Sequence, residues 1–428
     1  MTGENTANGS SLFTDERLLD RTYVPEERLV GREELIANIE YAVTPMVFGR
    51  EPENLLLTGS RGTGKTMCAR YVARREVDNA AQQGLAATAT HVDCRRATTD
   101  AQATREIAGA INRPDVTGVV VPESGLSLEE YHRRLREIID ELYDVTLVIL
   151  DHLDYLDPGR LLRVLSDDNT DSAHSVVTII GIVDGEGGDK RLSEATVDTV
   201  AEEHYVFEPY EESQLREILD ARRAAFHDEA VTDTVIERAA ELAATGGGDA
   251  GEGIALLHEA GLLAQRRGET TVRPDHVTAV SEDVDALQLC ESLAALPVHA
   301  RYVLEALTRL SAPVDETDPG AVDTVSTDTR IGGGEVERSE TEGFRTTRVY
   351  EAYESVCADV GDSPRTLRRV QEFLGQLAAQ GVTERSAHWG GRAEGNYYTH
   401  RLTRRPAIVH SAVECTAEHD DGERLNIP

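Results

Sequence analysis

The first half of the chain alternates short apolar runs with segments of helical periodicity. Four apolar runs are each typical of a buried strand. They lie at residues 55–57, 89–94, 145–151 and 175–183. Between these runs, apolar residues recur at helical spacing, as in residues 33–46 and from Thr66 onward. Alternating strands and helices predict an α/β fold with a parallel sheet that helices cover on both faces.

Beyond about residue 209 the strand signals stop. Segments of helical apolar spacing follow as far as residue 284 and predict an all-helical lid. After residue 285, helical segments precede an alternating stretch that ends in NYYTHRLTRRP and is typical of a two-stranded hairpin. Helix, helix and hairpin in this order form a winged-helix pattern. The predicted domains are an α/β base over residues 1–208, a lid over 209–284 and a winged helix over 285–428.

An acidic segment interrupts the winged-helix region at about residues 312–344. It carries nine acids between Asp315 and Glu342, few apolar residues and a triple glycine. Such a segment buries too little apolar surface to offset the entropy of ordering it. We predict a disordered insert.

The charge balance of the chain indicates the salt concentration in which the protein works. The formal net charge is -35 and lysine occurs only at Lys65 and Lys190, yet 40% of the residues are hydrophobic. A folded protein adapted to molar salt fits this composition, because at roughly 1 M salt the Debye length of about 3 Å screens the carboxylates from one another. No stretch approaches the roughly 20 apolar residues of a membrane span. We expect a cytoplasmic, nucleoid-associated protein without a membrane partner.

The five cysteines are scattered without CxxC spacing. This pattern indicates neither a zinc site nor a disulfide framework, so buried thiols are expected. The residues are Cys68, Cys94, Cys290, Cys357 and Cys415.

The segment GSRGTGKT has the spacing of a phosphate-binding loop between a strand and a helix. Glycines let the backbone N–H groups face the phosphates, Lys65 reaches the outer phosphates, and Thr66 coordinates magnesium. A chance glycine-rich turn is the alternative, and the flanking strand and helix disfavour it. The predicted nucleotide ligands are Gly59, Ser60, Arg61, Gly62, Thr63, Gly64, Lys65 and Thr66.

Asp151 ends the apolar run VTLVILD, where a carboxylate can hold magnesium beside Thr66. A strand-end acid without a ligand role is the alternative. Together the two motifs predict bound ATP or ADP with Mg2+. The next residue is His152, at the place where hydrolysing ATPases usually carry a glutamate, and an imidazole differs from a carboxylate in reach and charge.

A basic island lies near the end of this acidic chain. Eight arginines stand against three glutamates between Arg365 and Arg405. Helical spacing buries one face of residues 363–381 and leaves polar residues at the helix N-terminus, the part of a recognition helix that reaches base edges. A solvated arginine-rich surface is the alternative, and for Trp389 a packed hairpin residue. The predicted contacts to double-stranded DNA are Arg365, Thr366, Arg368, Arg369, Trp389 and Arg392.

The succession VPEERLVGREEL, NLLLTGSRGTGKT, VILDHLDYL, FEPYEESQLREIL and VYEAYESVC resembles the archaeal Orc/Cdc replication-initiator family. The resemblance covers nearly the whole chain. It implies an AAA+ ATPase with a parallel sheet, a helical lid and a C-terminal winged helix, with origin DNA, the replicative helicase and paralogous initiators as partners. It also implies that Val24, Pro25 and Arg32 pack around the adenine, although an ordinary turn is the alternative.

Four positions depart from the family's pattern. His152 replaces the acid after the magnesium aspartate, and Asp184 stands where the family has a polar sensor, usually asparagine. Ala195 aligns with the arginine finger, with Arg191 nearby on another turn, and Gly251 follows GDA where the lid arginine belongs. Whether the chain is an active ATPase is therefore open. The resemblance favours a DNA-binding protein of replication initiation or its regulation with weak or absent hydrolysis; the alternative is a transcriptional or negative replication regulator that keeps the initiator fold.

Overall fold

The computed structural model describes residues 11–24, 29–50, 52–156, 159–167, 175–185, 192–294, 296–312, 343–389 and 396–425. The chain forms two compact units, Met1–Ser281 and Glu282–Pro428. Among the described residues, no helix is both long enough and apolar enough to cross a membrane. The predicted acidic insert lies outside the described residues, apart from its ends.

The first unit is built on a parallel sheet whose strands follow the order β2-β3-β4-β1-β5. The strands are β1 (Leu55–Gly59), β2 (Ala87–Asp93), β3 (Val145–Asp151), β4 (Val176–Asp184) and β5 (Glu203–Phe207). Every residue of β1 and β3 is buried, as expected for strands covered on both faces. The α/β prediction is confirmed. The edge strand β5 was not predicted, because its alternation of half-buried and exposed residues produces no apolar run.

Helices pack on both faces of this sheet. They are α1 (Glu33–Val43), α2 (Lys65–Gln82), α3 (Asp100–Ile111), α5 (Leu128–Leu142), α6 (Gly159–Asp167) and α7 (Glu194–Val200), while the short helix α4 (Pro114–Thr117) has no buried residue. One apolar cluster contains Ile107 of α3 and Leu135 of α5. The other contains Ile39 of α1 and Val72 of α2. The sheet lies between these two clusters. Because its strands are parallel, their carboxyl ends meet at one edge.

The lid consists of helices, as predicted. They are α8 (Glu212–Arg222), α9 (Asp233–Thr245), α10 (Ala250–Arg266) and α11 (Pro274–Ala294), and the division between the two units falls within α11. Asp249 caps α10 by accepting a hydrogen bond from the Glu252 N–H at 3.1 Å. The Ala250 N–H donates to the carbonyl of Gly62 at 3.2 Å, so the first turn of α10 lies against the phosphate loop.

The second unit has the predicted winged-helix order. Its elements are α12 (Val298–Ser311), β6 (Phe344–Arg345), α13 (Thr346–Val360), α14 (Leu367–Ala379), β7 (Thr383–Trp389), β8 (Asn396–Leu402) and a final helix α15 (Pro406–Leu425). The strands pair antiparallel in the order β6-β8-β7. Val370, Phe373, Leu374 and Leu377 of α14 are buried, as their spacing predicts. Helix α15 was not predicted.

The expectation of five thiols is wrong for two of the cysteines. Cys290 of α11 and Cys415 of α15 form a disulfide with a Cα–Cα distance of 5.9 Å, although 125 residues separate them. Short-range spacing carries no sign of such a pair, because only the packing of α15 brings the two cysteines together. Cys68, Cys94 and Cys357 are buried thiols as expected.

Candidate nucleotide-binding site and nucleic-acid interface

The phosphate loop joins β1 to α2 at the carboxyl edge of the sheet. Gly62 and Gly64 have φ values of 73° and 92°, the left-handed region that glycine adopts at little cost. A Cβ on Gly64 would lie 2.6 Å from the hydroxyl oxygen of Tyr210, and one on Gly62 would lie 1.9 Å from the carboxyl carbon of Asp249. The loop therefore fits between β1 and the lid only with glycines at these two positions.

Arg32 supports the loop from beneath. Its Nε donates to the carbonyl of Thr63 at 3.0 Å, its Nη2 donates to the carbonyl of Glu208, and its guanidinium lies 3.8 Å from the ring centre of Tyr210. The side chain is buried. Val24 packs against the apolar cluster that contains Ile39 and Val72. Pro25 lies outside the described residues. The adenine contact of these residues stays a prediction.

Lys65 is buried at the start of α2, and its ammonium group binds acceptors of the protein itself. Its Nζ donates to the carbonyls of Gly59 at 2.9 Å and Ser60 at 2.7 Å. It also forms an ion pair with Asp184 Oδ1 at 2.8 Å. The sequence predicted each residue separately but not this pair. The pair follows from sheet register, which places Asp184 of β4 opposite Gly59 of β1.

His152 holds the other side of the Asp184 carboxylate. Its Nδ1 lies 3.3 Å from Asp184 Oδ2, and its backbone is in the left-handed conformation with φ 54°. Burial disfavours the ionised carboxylate, but the hydrogen bond from His152 and the charge of Lys65 outweigh it and hold the pKa of Asp184 well below its ordinary value. Burial likewise disfavours a charged imidazole, yet Asp184 and Asp151 raise the pKa of His152. The Asp184 carboxylate thus lies between the Lys65 ammonium group and the His152 imidazole.

Thr66 and Asp151 lie together as a magnesium site requires. The Thr66 hydroxyl donates to Asp151 Oδ2 at 2.8 Å, and His91 Nε2 lies 3.1 Å from the same oxygen. Within the described ranges, no group of three or more His, Cys, Asp or Glu side chains is placed to hold a metal ion. One hydroxyl and one carboxylate nevertheless fit Mg2+ that arrives with a nucleotide, because this ion commonly takes its other ligands from phosphates and water.

Sequence reasoning missed several neighbours of this edge. Arg95 forms a two-pronged pair with Asp93, at 3.0 Å from Nε and 2.7 Å from Nη2, and sheet register places Asp93 beside Asp151. The segment HVDCRR, which begins within the predicted strand at residues 89–94 and ends just beyond it, carried this signal. Asp249 of the lid was also missed as a neighbour of the loop.

The arginines expected of an active site are differently placed. Ala195 lies in α7, and its side chain, like the whole of Arg191, is outside what the structure describes. Gly251 lies in the first turn of α10, where the aliphatic part of Arg21 fills the adjacent space: a Cβ at Gly251 would be 3.4 Å from Arg21 Cδ. An arginine of the N-terminal segment therefore borders the start of the lid helix.

The candidate nucleic-acid interface begins at the N-terminus of α14. Arg365, Arg368 and Arg369 are exposed, as predicted, while the Thr366 hydroxyl accepts from the Arg369 N–H and caps the helix. Trp389 ends β7, with its side chain outside the described atoms, and Arg392 lies outside the described residues.

The charge count over the island overstates its positive potential. Several of its arginines are paired with acids, which a count along the sequence cannot show. The pairs are Arg368–Glu372, Arg369–Glu372, Arg401–Glu384, Arg404–Asp285 and Arg405–Glu282.

Buried polar groups hold the start of this helix in place. The hydroxyl of Tyr353, which is fully buried, accepts a hydrogen bond from the Arg365 N–H at 2.9 Å and lies 2.8 Å from His299 Nδ1. Tyr350 donates to the carbonyl of Arg365 at 3.1 Å. Both peptide groups of Arg365 are therefore fixed from α13.

A phosphate loop on a parallel sheet, a helical lid against that loop and a winged helix together define an AAA+ protein with an appended nucleic-acid-binding fold. Family models agree: residues 28–179 match an AAA ATPase domain, 216–282 a Cdc6 AAA+ ATPase-type lid domain, and 335–412 the CDC6 C-terminal winged-helix domain. The chain belongs to the Orc1/Cdc6 family of DNA replication proteins.

Individual relatives span the whole architecture. ORC1-type DNA replication protein 9 of Haloarcula marismortui is 31% identical, covering 93% of this chain and 90% of its own length. ORC1-type DNA replication protein 4 of Halobacterium salinarum is 29% identical, with 95% and 93% covered. The solved structure of the Aeropyrum pernix ORC1 protein in complex with DNA is similar with a TM-score of 0.72 and 28% identity, covering 96% of this chain and 98% of that one.

Proposed function

We propose that this chain is an origin-recognition-type DNA-binding protein that holds ATP or ADP with Mg2+ and hydrolyses it weakly or not at all. The observation that carries the proposal is the contrast at one sheet edge. The groups expected to grip a nucleotide are present, with Lys65 and Asp151 buried and Thr66 half-buried, whereas Asp184 and His152 occupy the positions from which hydrolysis would be assisted.

Binding is supported by the arrangement of the loop. Glycines at the two left-handed positions let backbone N–H groups face a phosphate, and the N-terminus of α2 favours an anion. Lys65 and the adjacent Thr66–Asp151 pair supply a cation and the protein ligands for magnesium. These groups need no distant partner, so nucleotide binding survives the four departures.

Weak ATP turnover is expected from the side chains that would surround the terminal phosphate of a bound ATP. His152 is held by Asp184 instead of being available to orient a water, and an anionic Asp184 repels charge that develops on the transferred phosphoryl group. Gly251 supplies no side chain from the lid. Arginine stabilisation alone can contribute about 10³ to 10⁵ in rate where it operates, so these changes together leave little hydrolysis.

DNA binding is supported by the exposed arginines at the start of α14 and by the complex that the Aeropyrum pernix relative forms with DNA. In molar salt the release of counterions contributes little to affinity. Affinity must then rest more on contacts of Arg365 and Arg368 with base edges and on the shape of the duplex than on attraction to phosphates.

The first experiment uses protein purified in molar potassium chloride. Nucleotide that is retained on the protein and ATP turnover are measured for the unmodified chain, Lys65→Ala and His152→Glu. We expect the unmodified chain to retain nucleotide and to show negligible ATP turnover. We expect Lys65→Ala to lose the nucleotide. Turnover that is rapid and Lys65-dependent would show that His152 and its neighbours perform the chemistry, which contradicts the proposal.

The altered catalytic groups also favour a second candidate, a DNA-binding regulator of transcription or replication that keeps the initiator fold. An initiator is expected to occupy replication origins and to assemble with the replicative helicase and paralogous initiators. Mapping chromosomal binding sites separates the two functions: occupancy of origins supports the initiator, while occupancy of promoters alone supports the regulator.

A further inference from the structure

The three N–H donors of the Lys65 ammonium group all have acceptors within the protein. A lysine ammonium offers three N–H donors, and here the near acceptors are the carbonyls of Gly59 and Ser60 and the carboxylate of Asp184, with the Thr63 hydroxyl more distant at 3.5 Å. The Lys65 side chain is only 3% exposed, so water does not compete for these donors. A nucleotide phosphate that approaches Lys65 must displace one of these acceptors, and Asp184 is the only anion among them.

Asp184 is fixed at this point from three directions. Strand β4 carries it opposite Gly59, and the Gly185 N–H donates to the Gly59 carbonyl at 2.8 Å, which continues the pairing beyond the strand. Lys65 binds one carboxylate oxygen and His152 the other. His152 is itself held, because its backbone N–H donates to Asp151 Oδ1 at 3.0 Å. The carboxylate is thus a built part of the site and not a mobile surface group.

The Asp184 carboxylate is nevertheless within reach of a ligand. Its side chain is 31% exposed, whereas that of Lys65 is almost closed off. A negative group that enters the loop meets the Asp184 charge beside Lys65, in a setting where like charges repel far more than in water. A terminal phosphate would compete with Asp184 for the same ammonium group, whereas the inner phosphates can use the backbone N–H groups of the loop.

We propose that Asp184 takes the place of a terminal phosphate and makes this a nucleoside-diphosphate site, which binds ADP in preference to ATP. The inference rests on the proposed nucleotide-binding function and names the ligand of that site. His152 is a positioning residue in this arrangement, since it orients Asp184 toward Lys65.

The test compares the affinity of ADP with that of the β,γ-imido analogue of ATP, by calorimetry in molar potassium chloride with Mg2+. The proteins are the unmodified chain, Asp184→Asn and a matched control, Asp220→Asn, which changes an exposed acid of the lid that pairs with Arg223. We expect the unmodified chain and the control to favour ADP by at least about tenfold. Asp184→Asn should reduce that ratio to about threefold or less, mainly by strengthening binding of the analogue.

The outcomes separate this inference from the function on which it rests. Equal affinity of the unmodified chain for the two nucleotides overturns the inference and leaves nucleotide binding standing, and this result does not depend on whether the variant folds. A preference for ADP that persists in folded Asp184→Asn also overturns it. If neither nucleotide binds the unmodified chain, the proposed nucleotide function fails together with the inference.

Discussion

Replacing Tyr353 by phenylalanine removes one oxygen atom from the core of the winged-helix unit. That oxygen accepts from the Arg365 N–H at 2.9 Å and donates to His299 Nδ1 at 2.8 Å. Burial raises the pKa of Tyr353 to about 12, so the hydroxyl keeps its proton at neutral pH. Burial lowers the pKa of His299, so its ring is neutral and can accept. The variant leaves one donor and one acceptor without their partner.

The expected cost follows from these two contacts. An ordinary hydrogen bond contributes about 0.5–1.5 kcal/mol net, and a buried polar group left unsatisfied costs about 1–3 kcal/mol. We therefore expect Tyr353→Phe to lower the free energy of unfolding of this unit by about 2 kcal/mol. Affinity for DNA should fall as well, because the Arg365 N–H loses its acceptor in α13 and Tyr350 then holds only the Arg365 carbonyl.

The assay uses the chain's single tryptophan. Trp389 lies in β7, so its fluorescence during unfolding in urea, in molar salt, reports on the winged-helix unit. The matched control is Tyr350→Phe, which removes a solvent-exposed hydroxyl that donates to the carbonyl of the same Arg365. We expect the control to cost less than about 0.5 kcal/mol. If the two variants shift the urea midpoint equally at unchanged slope, the reasoning about the buried hydroxyl is refuted.

Two further predictions concern single residues. Burial lowers the pKa of His400 to about 4 from 6.5, so the unfolded chain binds the proton more readily and stability falls as the pH drops below 6.5. Lowering the pH from 7 to 5 should cost about 2 kcal/mol by Trp389 fluorescence, and a His400→Gln variant with the same loss would exclude this cause. Gly62→Ala should weaken nucleotide binding at least about tenfold, because its methyl group would displace Asp249. Gly84→Ala, also at positive φ but with nothing within 4 Å, is the control, and an equal loss there would contradict the contact with the lid.

Much of the fold was legible in the sequence because burial repeats over a few neighbouring residues. The run VTLVILD predicted β3 with the bounds that the structure has. A strand buried on both faces is a nearly continuous apolar run, so its ends are clear in the sequence. The buried stripe of α14 was equally clear. Two elements with a weak pattern were not predicted. Strand β5 alternates only partly, and the buried stripe of α15 is short, with Ile408, Val409 and Ala412 among its few buried residues.

The sequence by itself determined the phosphate loop, because its glycines, its lysine and the helix that follows are contiguous and their geometry is local. Only the tertiary structure decided what that lysine contacts. Asp184 reaches Lys65 because β4 pairs with β1, and the Cys290–Cys415 bond forms because α15 and the end of α11 share one apolar cluster. Partners far apart in the chain are brought together by sheet register and helix packing, which depend on the whole core and leave no mark in the local pattern of either partner.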